Sequence, residues 1–163
     1  MQDRVQVRRA TAEDLHLIDA ALRALAAHLG DPYRVVAADI EACSFGDAPS
    51  SCIEIAMTPD GACVGILLAS PVFSTIQGGT GLFVNDLWVD ASMRGQGLGR
   101  QLLAAVRRDA AEVWGRPRFL RLMAHDANDA GHEFYRRLGF RRMEGLSLLA
   151  LDEDALDLLE ETA

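Results

Sequence analysis

The chain has 163 residues, half of them apolar and a quarter charged, a size and composition that fit one folded domain spanning 1–163 and exclude intrinsic disorder. Twenty-four acidic residues outweigh sixteen basic ones for a net charge of -8, which argues against nucleic acid as a partner, since that needs a basic face. All sixteen basic residues are arginine, which removes Schiff-base chemistry on lysine and every phosphate loop ending in Gly-Lys-Ser/Thr.

In chain order, polar and apolar residues alternate from Arg4 to Arg8, around Val5 and Val7, and predict a half-buried strand. Thr11-Ala12-Glu13-Asp14 reads as a capping box, with Asp14 reaching back to Thr11. Leu15, Ile18, Leu22, Leu25 and Leu29 then fall at helical spacing, and Gly30-Asp31-Pro32 ends the helix. A weaker helix follows over 35–43. Strands are predicted over 52–57 and 63–69, joined by the turn residues Thr58-Pro59-Asp60-Gly61. Residues 71–76 extend the second of them, and Gly78-Gly79-Thr80-Gly81 reads as a flexible break. The run 82–89 is apolar except for Asn85 and Asp86, as in a central strand buried on both faces.

A helix is predicted from Gly97 to Trp114, with Leu98, Leu102, Val106 and Ala110 on one face. A buried strand follows over 119–124, and a short helix over 127–138 closed by Gly139. Two short strands, 140–143 and 147–151, and an acidic terminal helix after Asp152 complete the chain. The three cysteines, Cys43, Cys52 and Cys63, are scattered and read as small buried hydrophobes rather than a disulfide or zinc set. His125 and His132 lack a metal-ligand partner set, so no metal is expected. No apolar run approaches the ~20 residues of a membrane span, and the N-terminus lacks a secretory apolar region. A cytoplasmic protein with no membrane partner is therefore the expectation. Charge is uneven: residues 94–142 hold eleven arginines against five acids, and the remainder is strongly acidic.

The most specific stretch is Asn85 to Arg100. A strand runs through five residues into a glycine loop that opens a helix. Such a loop offers consecutive backbone N–H groups at the positive end of a helix, an anion site suited to phosphate. The dinucleotide fingerprint fails, because Arg100 stands where its third glycine belongs. What remains, Arg94-Gly95-Gln96-Gly97-Leu98-Gly99, resembles the Arg/Gln-x-x-Gly-x-Gly/Ala pyrophosphate loop of the GNAT superfamily of acetyl-CoA-dependent N-acetyltransferases. A second motif, Asn128 through Phe140, is similar to the Asn-x-x-x-x-x-Phe/Leu-Tyr-x-x-x-Gly-Phe signature of the same family. Looser likeness of residues 81–89, of Glu144-Gly145 and of the 151–161 tail points toward the spermidine/spermine (diamine) acetyltransferase branch.

The resemblance implies a mixed α+β fold. Its twisted, mostly antiparallel sheet would have six to seven strands, with about four helices on both faces and a V-shaped splay between strands four and five. It implies acetyl-CoA as cosubstrate, direct acetyl transfer to the primary amine of a small cationic acceptor, and a homodimer. The cofactor residues it implies are Leu87, Trp88 and Val89 beside a strand bulge, Arg94, Gly95, Gln96, Gly97, Leu98, Gly99 and Arg100 in the loop, and Asn128 and Gly131 in the second motif. Tyr135 would protonate the departing thiolate. The branch usually carries Glu-Asp in the fourth strand; here Asn85 precedes Asp86, which leaves Asp86, His28 or a water chain as the base. Two alternatives stay open: acetylation of a protein N-terminus or lysine, and a non-catalytic acyl-CoA-binding module.

Overall fold

The computed structural model describes residues 5–156 and 159. The chain divides into two compact units, Met1–His125 and Asp126–Ala163.

The first unit begins with β1 (Gln6–Arg9) and a 3-10 turn (Ala12–Asp14) that leads into α1 (Leu15–Leu29). The junction is set by one carboxylate. Asp14 accepts from the Thr11 N–H at 2.8 Å and takes both guanidinium nitrogens of Arg8 at 2.7 Å each. The expected capping box is therefore present, and it also ties the helix to β1. Ile18, Leu22 and Leu25 form the buried stripe of α1. The helix ends at Gly30, whose φ of 76° is open to glycine at little cost. After it come α2 (Ala37–Phe45), β2 (Cys52–Met57), β3 (Cys63–Ser74), β4 (Gly79–Val89), α3 (Leu98–Trp114) and β5 (Leu120–Leu122).

The strands form one mixed sheet in the order β1-β2-β3-β4-β5. The first three pairings are antiparallel and β4–β5 is parallel. Ile53 and Ile55 of β2 and Ile66 of β3 pack with Ile18 and Leu22 of α1 and Ile40 of α2. The opposite face meets α3: a Cβ on Gly65 would lie 3.2 Å from Leu102 and 3.3 Å from the Ala56 methyl. Period-two alternation thus divides β2 cleanly between two helical layers.

The second unit holds α4 (Asp129–Arg137) and a single helical turn, α5 (Glu153–Leu156). Its apolar anchor is a ring cluster, with Tyr135 edge-on to Phe134 and Phe140 at 5.1 and 5.5 Å between centroids.

Several expectations are corrected. The sheet has five strands among the described residues, not six to seven, because 140–143 and 147–151 are not strands. Every residue from 141 to 151 is exposed. A short apolar run becomes a strand only where a neighbour completes its hydrogen-bond ladder. The supposed break at 78–81 lies largely inside β4, because a Cβ on Gly81 would stand 2.5 Å from the Phe119 ring. That glycine is there for close packing against β5, not for flexibility. Only the first half of β4 is buried: Leu82 and Val84 are enclosed, whereas Asn85 is exposed and 86–89 are half-buried. β5 spans three residues instead of six, and Cys43 is exposed. The acidic helix is described for one turn, and most of its expected remainder, like Arg4, lies outside the described residues.

Arg8 holds the Asp14 carboxyl down to about 2. A lowered carboxylate stabilises the fold above its ordinary value and loses that contribution as pH falls through the lowered one. Asp14→Asn should cost about 2 kcal/mol at pH 7, a figure discounted for the exposure of Arg8. The gap between variant and wild type should close as pH falls from about 4 to about 2. Urea unfolding at pH 7, 4 and 2 checks both the size and the convergence.

Candidate functional site

The strand that carries Asp86 is irregular at one position. On β3, Leu68 pairs with Asp86 and the next residue, Ala69, pairs with Val84. Asn85 is therefore the extra residue of a bulge, and its Nδ2 donates to Ser70 Oγ at 2.7 Å. The bulge was expected near Leu87–Val89; it lies two residues earlier, where a polar side chain can turn outward to a hydroxyl partner. Beyond it, Leu87, Trp88 and Val89 remain paired with Leu67, Ile66 and Gly65. On the other side, β5 pairs only with Leu82, Phe83 and Val84. Among the described residues no strand covers the second edge of 85–89. Pairing with β5 thus ends at Val84, opposite Leu122, the last residue of β5, and beyond it β4 presents a line of backbone polar groups on that edge.

The glycine loop leaves from this free end. Asp90 caps a 3-10 turn (Ala91–Met93), its Oδ1 accepting from the Ser92 N–H at 2.9 Å. Arg94 folds back so that its Nε donates to the Val89 carbonyl at 3.0 Å, and the Gln96 amide donates to the Ser92 carbonyl at 3.2 Å. Gly95 and Gly97 have φ of 76° and 81°, the left-handed region that favours glycine. Gly97 is the N-cap of α3, and the Gln101 N–H donates to its carbonyl at 3.1 Å. The N–H groups of Leu98, Gly99 and Arg100 precede that first bond of the helix and point out of its end. A Cβ on Gly95 or Gly97 would meet no atom within 4 Å, so it would project into open space beside those donors. Leu98 and Gly99 are buried and anchor the turn, whereas Arg94, Gln96 and Arg100 are exposed. These seven residues are brought together with 86–89.

Asp86 is half-buried, and desolvation raises its carboxyl above the ordinary value. A group missed in the sequence stands near it. Tyr33, in the connection between α1 and α2, donates its hydroxyl to Asp19 Oδ1 at 2.8 Å. Arg23 donates to Asp19 Oδ2 at 2.7 Å and lies 4.4 Å over the Tyr33 ring. Burial, the bond to Asp19 and the charges of Asp19 and Asp86 push the Tyr33 phenol up to about 12. Asp31 of the same connection reaches the His125 imidazole at 2.9 Å. The i,i+4 spacing of Asp19 and Arg23 was legible, but nothing in the sequence tied Tyr33 to either. His28 is exposed in the last turn of α1, and no contact links it to Asp86.

In the second unit, Asn128 caps α4, its Oδ1 accepting from the Gly131 N–H at 3.0 Å. The fit is close: a Cβ on Gly131 would lie 2.6 Å from the Asn128 side chain. The helix closes with the Phe140 N–H on the Tyr135 carbonyl and the Gly139 N–H on the Arg136 carbonyl, both at 3.0 Å. That double closure places Gly139 at φ 92° and folds Phe140 back on Tyr135. Burial raises the Tyr135 phenol, so it keeps its proton at neutral pH. No described helix is long and apolar enough to cross a membrane.

Comparison with known proteins agrees with this fold. Among solved structures, the chain is similar to an aminoglycoside N-acetyltransferase in complex with CoA, at 23% identity over 93% of this chain and 97% of that one, TM-score 0.76. It is similar to an integron cassette protein from the mobile metagenome of V. cholerae, at 19% identity over 97% and 98%, TM-score 0.72. It is similar also to the ribosomal-protein-alanine N-acetyltransferase of Brucella melitensis biovar Abortus 2308, at 20% identity over 91% and 100%, TM-score 0.69. No curated protein matches the chain. The model of the acetyltransferase (GNAT) family matches residues 16–140, from the first turn of α1 to the closing turn of α4. With both signature motifs inside that span, the chain belongs to the GNAT family of acetyltransferases and is an acetyl-CoA-dependent N-acetyltransferase.

Proposed function

We propose that this enzyme acetylates the primary amine of a small cationic acceptor, of polyamine, diamine or amino-acid-like kind. The observation that carries the reading is the half-buried Asp86, one residue past the bulge. Its carboxyl is raised by desolvation at the free end of β4, close enough for its charge to raise the Tyr33 phenol. A carboxyl held up by desolvation is a better proton acceptor than an exposed one, because its conjugate acid is weaker. The structural relative that acetylates a ribosomal protein keeps peptide N-termini as the second reading.

The residues fit acetyl-CoA by the open space over Gly95 and Gly97, which a side chain would fill. In this reading the N–H groups of residues 97–100 hold the pyrophosphate, Arg94 and Arg100 add charge around it, and the uncovered edge of Leu87–Val89 takes the pantetheine. Acetyl-CoA supplies the thioester carbonyl and a thiolate leaving group. Asp86 takes the proton that the acceptor ammonium loses before attack. Tyr135, kept protonated by burial, donates to the departing sulfur. Asn128 and Gly131 hold the start of α4, and Asn128 retains its amide N–H groups for the pantetheine.

Gly97→Val forces a β-branched residue into the left-handed region and puts a side chain over the donors. It should abolish CoA binding while leaving the fold. In a melting assay, CoA at ~100 times Kd should stabilise wild type by roughly 2.7 kcal/mol and the variant not at all. Equal stabilisation of both would move the pyrophosphate elsewhere.

Tyr135→Phe keeps the ring cluster and removes the proton. It should lower kcat by about 10²–10⁴ with little change in KM for acetyl-CoA. Asp86→Asn should depress kcat/KM at neutral pH and shift activity to high pH, where the amine is already neutral. Thiol release over a panel of polyamines, aminoglycosides and peptides measures both and selects the acceptor. An unchanged pH profile in Asp86→Asn would remove Asp86 as the base.

A further inference from the structure

One buried carboxyl takes no part in this chemistry. Glu54 lies in the middle of β2 and is fully enclosed. It belongs to the face that meets α3, opposite Ile53 and Ile55. Its cross-strand neighbours are Arg9 on β1 and Leu67 on β3. Along its own strand the Cys52 thiol donates to Oε1 at 3.7 Å. From α3 the Asp109 side chain comes within hydrogen-bonding reach of it, and the Asp109 carboxylate is gripped by Arg108 at 2.6 and 3.2 Å. Glu112 acts on the same cluster through Arg108. Among the described residues no donor reaches Glu54 Oε2.

An enclosed carboxylate oxygen with no donor is costly, and the group opposite is another acceptor. Both problems vanish if Oε2 carries a proton and donates it to Asp109. We propose that Glu54 and Asp109 share one proton across the β2–α3 interface, and that this proton is a pH-sensitive catch on the helix whose N-terminus forms the glycine loop.

The electrostatics agree with the geometry. Burial first, and then the Asp109 charge and hydrogen bond, push the Glu54 carboxyl up to about 8. Desolvation works against the Asp109 carboxylate, but hydrogen bonds from Arg108 and Glu54 hold it below its ordinary value. The proton therefore sits on Glu54 at neutral pH. When it leaves, two carboxylates face each other between sheet and helix, with Arg9 and the largely exposed Arg108 as the cations of the cluster. Like charges in that setting repel, and α3 is pushed from β2 as a rigid rod. Leu98 and Gly99, which anchor the loop, move with it. The coupling to cofactor rests on the proposed pyrophosphate role of residues 97–100; the shared proton does not.

The sign follows from linkage. The folded chain holds a proton that the unfolded chain releases near its ordinary value of 4.5. Stability conferred by it is full below that value, declines as pH rises toward about 8 and is gone above. Glu54→Gln keeps shape and donor but cannot ionise. Its Tm, without CoA, should rise relative to wild type from pH 5 to pH 8, and the difference should level off above that. CoA alone, titrated by calorimetry, should bind wild type at least about threefold more weakly at pH 9 than at pH 7, with no such loss in Glu54→Gln.

Parallel Tm profiles in the two proteins would overturn the shared proton. Diverging Tm profiles with parallel CoA curves would overturn the coupling, as would absence of CoA binding to wild type at pH 7, which would also remove the loop assignment. Should Glu54→Gln fail to fold, wild type labelled with ¹³C at glutamate carboxyls decides. A buried carboxyl signal titrating near 8, and moving to lower pH in Asp109→Asn, supports the proposal; titration of all glutamates near 4.5 overturns it.

Discussion

β4 is shared between two neighbours that do not want the same length of it. β3 pairs with it from Gly79 to Val89, whereas β5 pairs with Leu82, Phe83 and Val84 alone. Where pairing with β5 ends the strand takes one extra residue, Asn85, and its course beyond is set by β3 and by the apolar cluster under Trp88. A bulge beside a stretch of strand that β5 does not reach leaves hydrogen-bonding groups exposed at a rigid edge, and rigid polar edges are where extended ligands are bound. Asp86 and the glycine loop both lie beyond that bulge. One is the first residue past the bulge, and the other is the turn that must carry the chain from a free strand end into α3.

The loop then depends on what holds α3 down. Leu98, Leu102 and Val106 are enclosed against the sheet, and each buried aliphatic side chain of this kind stabilises by roughly 1.5–3 kcal/mol. Against that apolar seam stands the pair proposed above, Glu54 and Asp109. In that proposal the same helix has an N-terminus suited to an anion and a later turn sensitive to proton loss. Its rigidity connects them, since a helix of seventeen residues moves as one piece.

On the other helical layer, α1 is attached by charge ahead of its first turn and by a phenol that reaches back to Asp19, its fifth residue. Asp14 binds Arg8 before the first turn, and Asp19 takes the Tyr33 hydroxyl from beyond the last. The second attachment draws the α1–α2 connection toward β4, so that the acidic groups on that side are Asp19, Asp31 and Asp86. Arg23 stacked on Tyr33 already shows that this corner accepts a cation held by a carboxylate and an aromatic face.

Local signals were legible in the sequence because their causes are local. The capping box at Thr11, the stripe of α1, the whole of β2, the glycine stop at Gly30 and the double closure at Gly139 all follow from residues within a turn of each other. So does the succession of strand, glycine loop and helix, which with the Asn128–Phe140 motif was enough to reach the family. What tertiary structure decided is everything that needs a partner distant in the chain. Gly81 reads as a break until Phe119 is seen filling the place of its side chain. The short runs 140–143 and 147–151 read as strands, but no neighbour in the described residues completes their ladders. The bulge falls at Asn85 because Ser70, fifteen residues away, receives its amide. Tyr33 and Glu54 carried no signal at all, since the groups that give them meaning come from α1, β4 and α3. Periodicity records which face of an element is apolar; it does not record which element will cover it.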